Sequence, residues 1–390
     1  MAASGNERVW DAAVVGGGPA GAIAAWRAAR LGLRVVVLER SRFPRDKVCG
    51  EFVSAEALPL LAQAAPELMA AAPEIAAAEW ITLSGRRYAF PLAPAARGIS
   101  RWRLDAQLWA AAGAAGAETR SGAIVRGWRP APRGAGELEF TFAGHTERLR
   151  SRALIVAAGR WWRIAGLPVP CVTRRRAWIG AKAHLAGIPA GALQMFALRH
   201  GYCGLAPVED GGVNVCALVR QDAPGLSGCR DIVRWLSAVA PPLAMRLHGA
   251  ALARPVQVTA PVYLGRGAAL PAGIFFAGDA GGFADPFTGA GLARAMLGGA
   301  LAAEMAAAAL AGDGDLIRAA ASHARVVRAA TRRARRWSGW LRRWLTAPPP
   351  WQDWAAAALA QGRLGQSLAA RTRWQPSPPP NNSPLINNYW

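Results

Sequence analysis

The chain has 390 residues, 53% of them hydrophobic, which is ample for a large core and beyond the length at which one core keeps growing, so two domains are expected. Its net charge of +22 would suit a polyanion, but Lys47 and Lys182 are its only lysines, and so heavy an excess of arginine with alanine reads as compositional bias; nucleic acid is excluded as a partner. Five scattered cysteines (Cys49, Cys171, Cys203, Cys216, Cys229) form no C-x-x-C pair and have no histidine at ligand spacing, which excludes structural zinc and a disulfide framework, so no metal is expected.

The opening stretch MAASGNERVWDAAVV contains no basic segment leading into an apolar one, and a cytoplasmic protein is expected. Val9 to Val15 is a short apolar run, Pro19 to Arg30 has helical composition, with Gly32 placed for a left-handed cap, and Arg34 to Leu38 is a β-branched run. That order predicts strand, helix, parallel strand. In the first turn, Gly16, Gly18 and Gly21 have the spacing G-x-G-x-x-G. The first glycine allows a tight turn, the second lets the backbone approach a diphosphate, and the third lets helix and strand pack closely, while the helix start offers bare amides to the anion. Glu39, 18 residues beyond Gly21, ends the second strand, where a carboxylate accepts both hydroxyls of a ribose and repels a 2′-phosphate. The ligand is therefore FAD or NAD.

Further along, ITLSGRRYAFPL and ELEFTFAGHTERLR each hold two strand-like runs around a glycine turn, and Ala177 to Val219 is strand-like with a hairpin turn at Glu209 to Gly212. Arg254 to Leu264 predicts another strand and Gly273 to Asp279 a buried one, after which the chain is helical. The apolar stretch from Phe287 to Gly312 is interrupted by Arg294 and Glu304, against a membrane-spanning helix. In residues 325–345, Val327, Ala330, Ala334, Trp337, Leu341 and Trp344 fall on one helical stripe among arginines. Packing against the enzyme body is the first expectation for it, and peripheral contact with an anionic membrane the second. Residues 376–390 are too rich in Pro and Asn to pack, and a disordered tail is expected.

GIFFAGDAGGFADPFTGAGLARAM chooses between the two dinucleotides. Asp279 directly follows an apolar strand, and Pro286, Gly289 and Gly291 open a helix. An aspartate there holds a sugar-alcohol hydroxyl, and the amides of a glycine-rich helix start stabilise the anion of a reduced flavin. The two motifs, G-x-G-x-x-G and G-D-A-x-x-x-x-x-P-x-x-G-x-G, resemble those of FAD-dependent oxidoreductases that include aromatic-ring monooxygenases, geranylgeranyl reductases and flavin-dependent halogenases, and the likeness spans about residues 9 to 312.

The resemblance implies an α/β fold: a Rossmann-like FAD-binding domain with an inserted antiparallel-sheet substrate domain and a C-terminal helical segment. FAD-binding parts are expected at 1–78, 99–166 and 268–312, substrate-domain parts at 79–98 and 167–267, and the helical region at 313–375. It further implies that Gly16, Gly18, Pro19, Ala20, Gly21, Glu39 and Arg40 hold the adenosine diphosphate half, and that Gly278, Asp279, Pro286, Gly289, Ala290 and Gly291 hold the ribityl chain and ring. In ISRWRLDAQL, which resembles the family's R-x-x-x-D-x-x-L, Arg101 would contact the diphosphate, with Arg103 in reserve. Gly159 permits close approach to the adenosine half, although the family's Asp and Ser in that segment are here Ala158 and Trp162.

For the reactive face the resemblance points to Cys49 and Glu51, on a segment that in related enzymes runs over the flavin, and to Tyr202; Lys47, on that segment, is a candidate because a lysine in so arginine-rich a chain suggests that a compact ammonium is wanted there. Cys49-Gly50 looks like the reductases' Cys-Gly, Gly50-Glu51 like the halogenases' Gly-Glu. Tyr202 and Pro207 match the reductases' Y-x-W-x-F-P-K, but Gly204, Ala206 and Val208 replace its Trp, Phe and Lys, and the halogenases' W-x-W-x-I-P is absent. One dinucleotide motif implies that NAD(P)H visits only transiently. The first expectation is thus a monooxygenase hydroxylating an aromatic or polyketide-like small molecule. The alternatives are a flavin-dependent alkene reductase of geranylgeranyl type and a non-catalytic flavin-binding protein docked on a membrane or partner.

Overall fold

The computed structural model describes residues 9–131, 136–168, 177–189, 191–226, 231–264, 271–283, 285–312, 314–361, 367 and 370–373. The expected tail at 376–390, and Cys171 and Cys229, lie outside the described residues. In chain order, β1 (Val9–Val15), α1 (Pro19–Arg30) and β2 (Val35–Glu39) lead into β3 (Phe52–Val53), the short helices α2 (Leu58–Ala64) and α3 (Pro66–Ala71), the hairpin β4 (Glu74–Ile81) and β5 (Arg87–Gly98), and α4 (Arg101–Ala114). Next come β6 (Glu118–Ser121), β7 (Ile124–Pro130), β8 (Gly136–Phe142), β9 (His145–Val156), β10 (Ala177–Ala186), β11 (Leu193–Leu198), β12 (Gly201–Pro207) and β13 (Val213–Arg220). The remainder is α5 (Ile232–Val239), α6 (Pro241–Leu247), β14 (Ala251–Leu252), β15 (Gln257–Tyr263), β16 (Ile274–Phe276), α7 (Gly291–Ala311), α8 (Leu316–Leu345) and α9 (Trp351–Ala360).

The first sheet runs β6-β2-β1-β9-β8-β7, with β16 also on β9. Pairings of β1 with β2 and β9, of β2 with β6 and of β9 with β16 are parallel, while β7, β8 and β9 form an antiparallel meander. Side chains of successive strand residues point to opposite faces. Ala12, Val14, Val35, Val37 and Ile155 accordingly pack with α1, α4 and α7, whereas Ala13, Val15, Val36, Leu38 and Val156 pack with Leu138, Phe140 and Trp162. Local chemistry sets the helix ends: Pro19 opens α1, Gly32 follows it at φ +82, and Ser100 caps α4 by accepting from the Arg103 amide.

The second sheet runs β14-β10-β13-β12-β11-β4-β5-β3, with β15 on β10. It is antiparallel, as expected, except at one seam: β4 and β11, from separate stretches of chain, pair in parallel. It also reaches further towards the amino terminus than a division at residue 79 would put it, because β4 starts at Glu74 and β3 pairs with β5.

Among the described residues one helix, α7, is long and apolar enough to cross a membrane, but 72% of its most apolar stretch is buried inside the protein. It presses on α1 through glycine: a Cβ on Gly299 would lie 2.1 Å from the carbonyl oxygen of Ala20, whereas one on Gly298 would meet nothing within 4 Å. Gly299→Val is therefore expected to force the helices apart and cost at least about 1–3 kcal/mol, as overpacking does. Gly298→Ala should raise stability by about 0.5–1 kcal/mol through helix propensity alone. Paired thermal melts check both signs.

Candidate active site

The β1–α1 turn uses its glycines in two ways. Gly16 has φ +101, and a Cβ there would lie 2.5 Å from the Ala157 carbonyl oxygen; one on Gly21 would lie 1.7 Å from the Gly16 carbonyl oxygen. Packing alone demands both. Gly18 differs, since its φ of −71 suits any residue and no protein atom comes closer than 3.7 Å to an added carbon. Open space is thus kept over the amides that begin α1, where an anion is stabilised. Two guanidinium groups border it: Nη2 of Arg45 and of Arg101 lie 3.7 and 3.8 Å from that Cβ position.

Arg101 is buried and forms a two-pronged ion pair with Asp105 at 2.6 and 2.7 Å, and Asp105 also pairs with Arg45 at 3.3 Å. Bare amides and two cations make a donor set that fits the diphosphate of FAD. Arg103, the reserve, instead pairs with Asp210 and Glu209 away from this space. Glu39 is buried, accepts from the Gly17 and Ser41 amides at 2.6 and 2.9 Å, and lies behind the cavity wall, whereas its neighbour Arg40 lines the cavity.

The second motif follows β16. Gly278 has φ +61, and Asp279 caps no helix; its carboxylate takes Nη2 of Arg294 at 3.1 Å while Nη1 of Arg294 donates to the Gly282 carbonyl at 2.8 Å. Gly289 has φ +71, and a Cβ there would strike the Phe52 ring at 2.6 Å. Ala290 then caps α7, whose first residue is Gly291. Trp162, where the family has serine, is buried against Phe276, and its Nε1 donates to the Ala280 carbonyl at 3.4 Å, so it braces this loop.

Both motifs face one space. A cavity of about 540 Å³ runs from Gly18, Pro19 and Ala20 past Gly159, Gly278 and Asp279 to Pro286, Gly289, Ala290 and Gly291. Arg101, Lys47 and Cys49 line it too, and it continues between the second sheet and helices α8 and α9 along an apolar wall that includes Trp80, Leu92, Tyr202, Phe287 and Leu341. Tyr202 is buried edge-on to Phe287 at 5.0 Å, and burial pushes its phenol well above the usual range. Lys47 is crowded by protein yet open to the cavity; burial first, then Arg101 and Arg45, lower its pKa to about 8. Burial raises the Cys49 thiol, whose sulfur receives the Glu51 amide at 3.4 Å.

Glu51 is the residue whose expected role changes. It borders the cavity, but its side chain is wholly buried and its oxygens accept from the Arg101 amide (2.6 Å) and Lys182 Nζ (2.6 Å) and contact His184 Nε2 (2.6 Å). Through these bonds its carboxylate ties the loop to the start of α4 and to β10. Lys182 also reaches Asp46 at 2.9 Å. Asp46, Glu51 and His184 converge closely enough to hold a metal ion, but the Lys182 ammonium already bridges the two carboxylates there.

Sequence reasoning passed over this cluster, although AKAHLA carries a legible signal. Lys182 and His184, two apart on β10, share one face, while Ala181, Ala183 and Leu185 turn into the core. Arg45 and Arg294 were hidden by the abundance of arginine.

A family profile described as FAD dependent oxidoreductase matches residues 11–54. The chain is 30% identical over 333 residues to digeranylgeranylglycerophospholipid reductase 2 of Methanopyrus kandleri, covering 78% of each protein. Against menaquinone reductase of Mycolicibacterium smegmatis it is 52% identical over 48 residues, a stretch that spans only 12% of that protein and 12% of this chain. Its fold is similar to the flavin-dependent brominase Bmp2, with a TM-score of 0.81 at 20% identity over 94% of this chain and 95% of that one. With both cofactor motifs on one cavity and a relative matched along most of its length, the chain belongs to the FAD-dependent oxidoreductases that include the geranylgeranyl reductases.

Proposed function

We propose that the protein is a cytoplasmic FAD-dependent reductase that saturates a carbon–carbon double bond in an extended apolar substrate of isoprenoid type, with NAD(P)H as a transient reductant. The observation that carries this reading is the apolar continuation of the cavity beyond the flavin end, walled by Trp80, Phe90, Met195, Leu218, Phe287 and Leu341. Burying an alkyl chain there contributes about 0.8 kcal/mol per methylene. The long match to the digeranylgeranylglycerophospholipid reductase supports the same reading. FAD held here would supply the two-electron redox chemistry, relaying a hydride equivalent from nicotinamide to the alkene, with a proton completing the saturated product.

The chain's own residues bind and orient. Arg45, Arg101 and the first amides of α1 would hold the diphosphate, and the amides around Gly289 to Gly291, which line the same cavity, would hold the ring. Lys47, with a pKa of about 8, keeps a proton at Nζ near neutral pH and can release it beside Gly159, whereas Tyr202 retains its phenolic proton. Gly204 stands where reductases carry a tryptophan, but Met195 Sδ lies 3.0 Å from the place of its missing Cβ and takes over that piece of wall.

Hydroxylation is the second reading, favoured by the loss of the reductases' Phe and Lys at Ala206 and Val208. Turnover of an isoprenoid alkene with NADPH in the absence of air separates the two: the reductase reading expects bleaching of the flavin and a product that gains hydrogen only. A product that forms solely in air and carries label from labelled dioxygen overturns it in favour of hydroxylation. Flavin that neither nicotinamide bleaches defeats both.

A further inference from the structure

The geometry points to a second role for the carboxyl-terminal helices: the outer face of α8, with the start of α9, seats the protein on an anionic membrane, while the opposite face of α8 walls the substrate cavity. This goes beyond the catalytic reading and does not depend on it. Ala334, Ser338, Leu341 and Leu345 line the cavity. At about 3.6 residues per turn, Arg336, Trp340 and Arg343 fall on the other side of the same helix, with Trp344 at its edge. Trp340 is 43% exposed and bridges Trp337 and Trp344 at ring separations of 5.8 and 6.1 Å. Trp351 and Trp354, opening α9, are 60% and 65% exposed.

Indole in water is an unusual choice, because tryptophan favours places where an apolar body meets a polar boundary, above all the membrane interface. The charge pattern selects the kind of surface. Between Leu316 and Leu345 there is no Asp or Glu, and Arg325, Arg328, Arg332, Arg336 and Arg343 are exposed. Such a segment is complementary to anionic lipid headgroups, and the net charge of +22 drives the whole protein towards them while repelling a second copy. Cavity and seat share one helix, so an apolar substrate dissolved in the bilayer has a short route inward.

The test is co-sedimentation of the full chain, loaded with FAD, with vesicles of phosphatidylcholine alone and of an equimolar mixture with phosphatidylglycerol. Binding is expected only to the anionic vesicles, with a blue shift of tryptophan emission and quenching by brominated lipid. The combined variant Trp340→Ser, Trp351→Ser, Trp354→Ser should bind roughly tenfold or more weakly, with FAD content unchanged. Should that variant fold poorly, the quenching measured on the unaltered protein decides. Absence of binding to anionic vesicles, binding without quenching, or equal binding by a folded triple variant overturns the proposal, the last two marking mere adsorption of a basic protein. A dimer formed without lipid and dissolved by the triple variant also overturns it, assigning the face to a second copy.

Discussion

Gly18→Trp should yield a protein that folds as before but loses its FAD. At this position the backbone has no need of glycine, with φ −71 and no protein atom within 3.7 Å of an added carbon, so the apoprotein should melt within about 0.5 kcal/mol of the original. The indole would instead occupy the space between the first amides of α1 and the guanidinium groups of Arg45 and Arg101. FAD affinity should fall at least about 100-fold, roughly 2.8 kcal/mol, and added FAD should raise the melting temperature of the original protein but not of the variant. Gly21→Ala is the contrast: its Cβ would lie 1.7 Å from the Gly16 carbonyl oxygen, so the fold itself should fail. Absorbance of bound flavin and thermal melts read out both. Stoichiometric FAD in Gly18→Trp would remove the diphosphate from this turn.

That contrast shows what a sequence reveals and what it conceals. Three glycines at fixed spacing announce a turn, and the β-branched runs around them announce parallel strands, because backbone freedom and side-chain alternation are local properties. The same holds for Asp279, Gly289 and Gly291, and the two motifs do meet on one cavity. Partnership between distant side chains is not local. Glu51 read as a reactive carboxylate because its neighbours in sequence resemble a motif, yet its character is set by Lys182 and His184, more than a hundred residues away. Arg45 was illegible for another reason: where nearly every cation is arginine, residue type marks nothing, and only the place of its Nη2 beside Gly18 singles it out. The helical stripe in α8 was visible, and its buried side does pack on the body, at Ala330, Leu341 and Leu345. Its role as a cavity wall required knowing which sheet it covers.

Lys182→Met should be the most destabilising single change outside the glycine turns. Its ammonium, 2% exposed as a residue, is 2.6 Å from Glu51 and 2.9 Å from Asp46, and Glu51 has no exposed surface. Removing one partner of such a buried pair leaves the Glu51 carboxylate without its ammonium, held only by the His184 ring and the Arg101 amide, a loss of about 3–5 kcal/mol and several degrees of melting temperature. The consequence reaches the cofactor, because Glu51 Oε1 also receives the amide of Arg101 and its backbone is held at φ +56, a conformation that non-glycine residues keep only under constraint. A loosened Glu51 lets the start of α4 drift and with it the guanidinium facing Gly18, so retained FAD should fall along with stability. Glu51→Gln tests the coupling: combined with Lys182→Met it removes the stranded charge, and the double variant should be more stable than the sum of the two single losses by about 1 kcal/mol or more. Strict additivity in chemical denaturation, or a Lys182→Met protein that melts with the original and keeps its flavin, would show that the cluster does not hold the loop over the cavity.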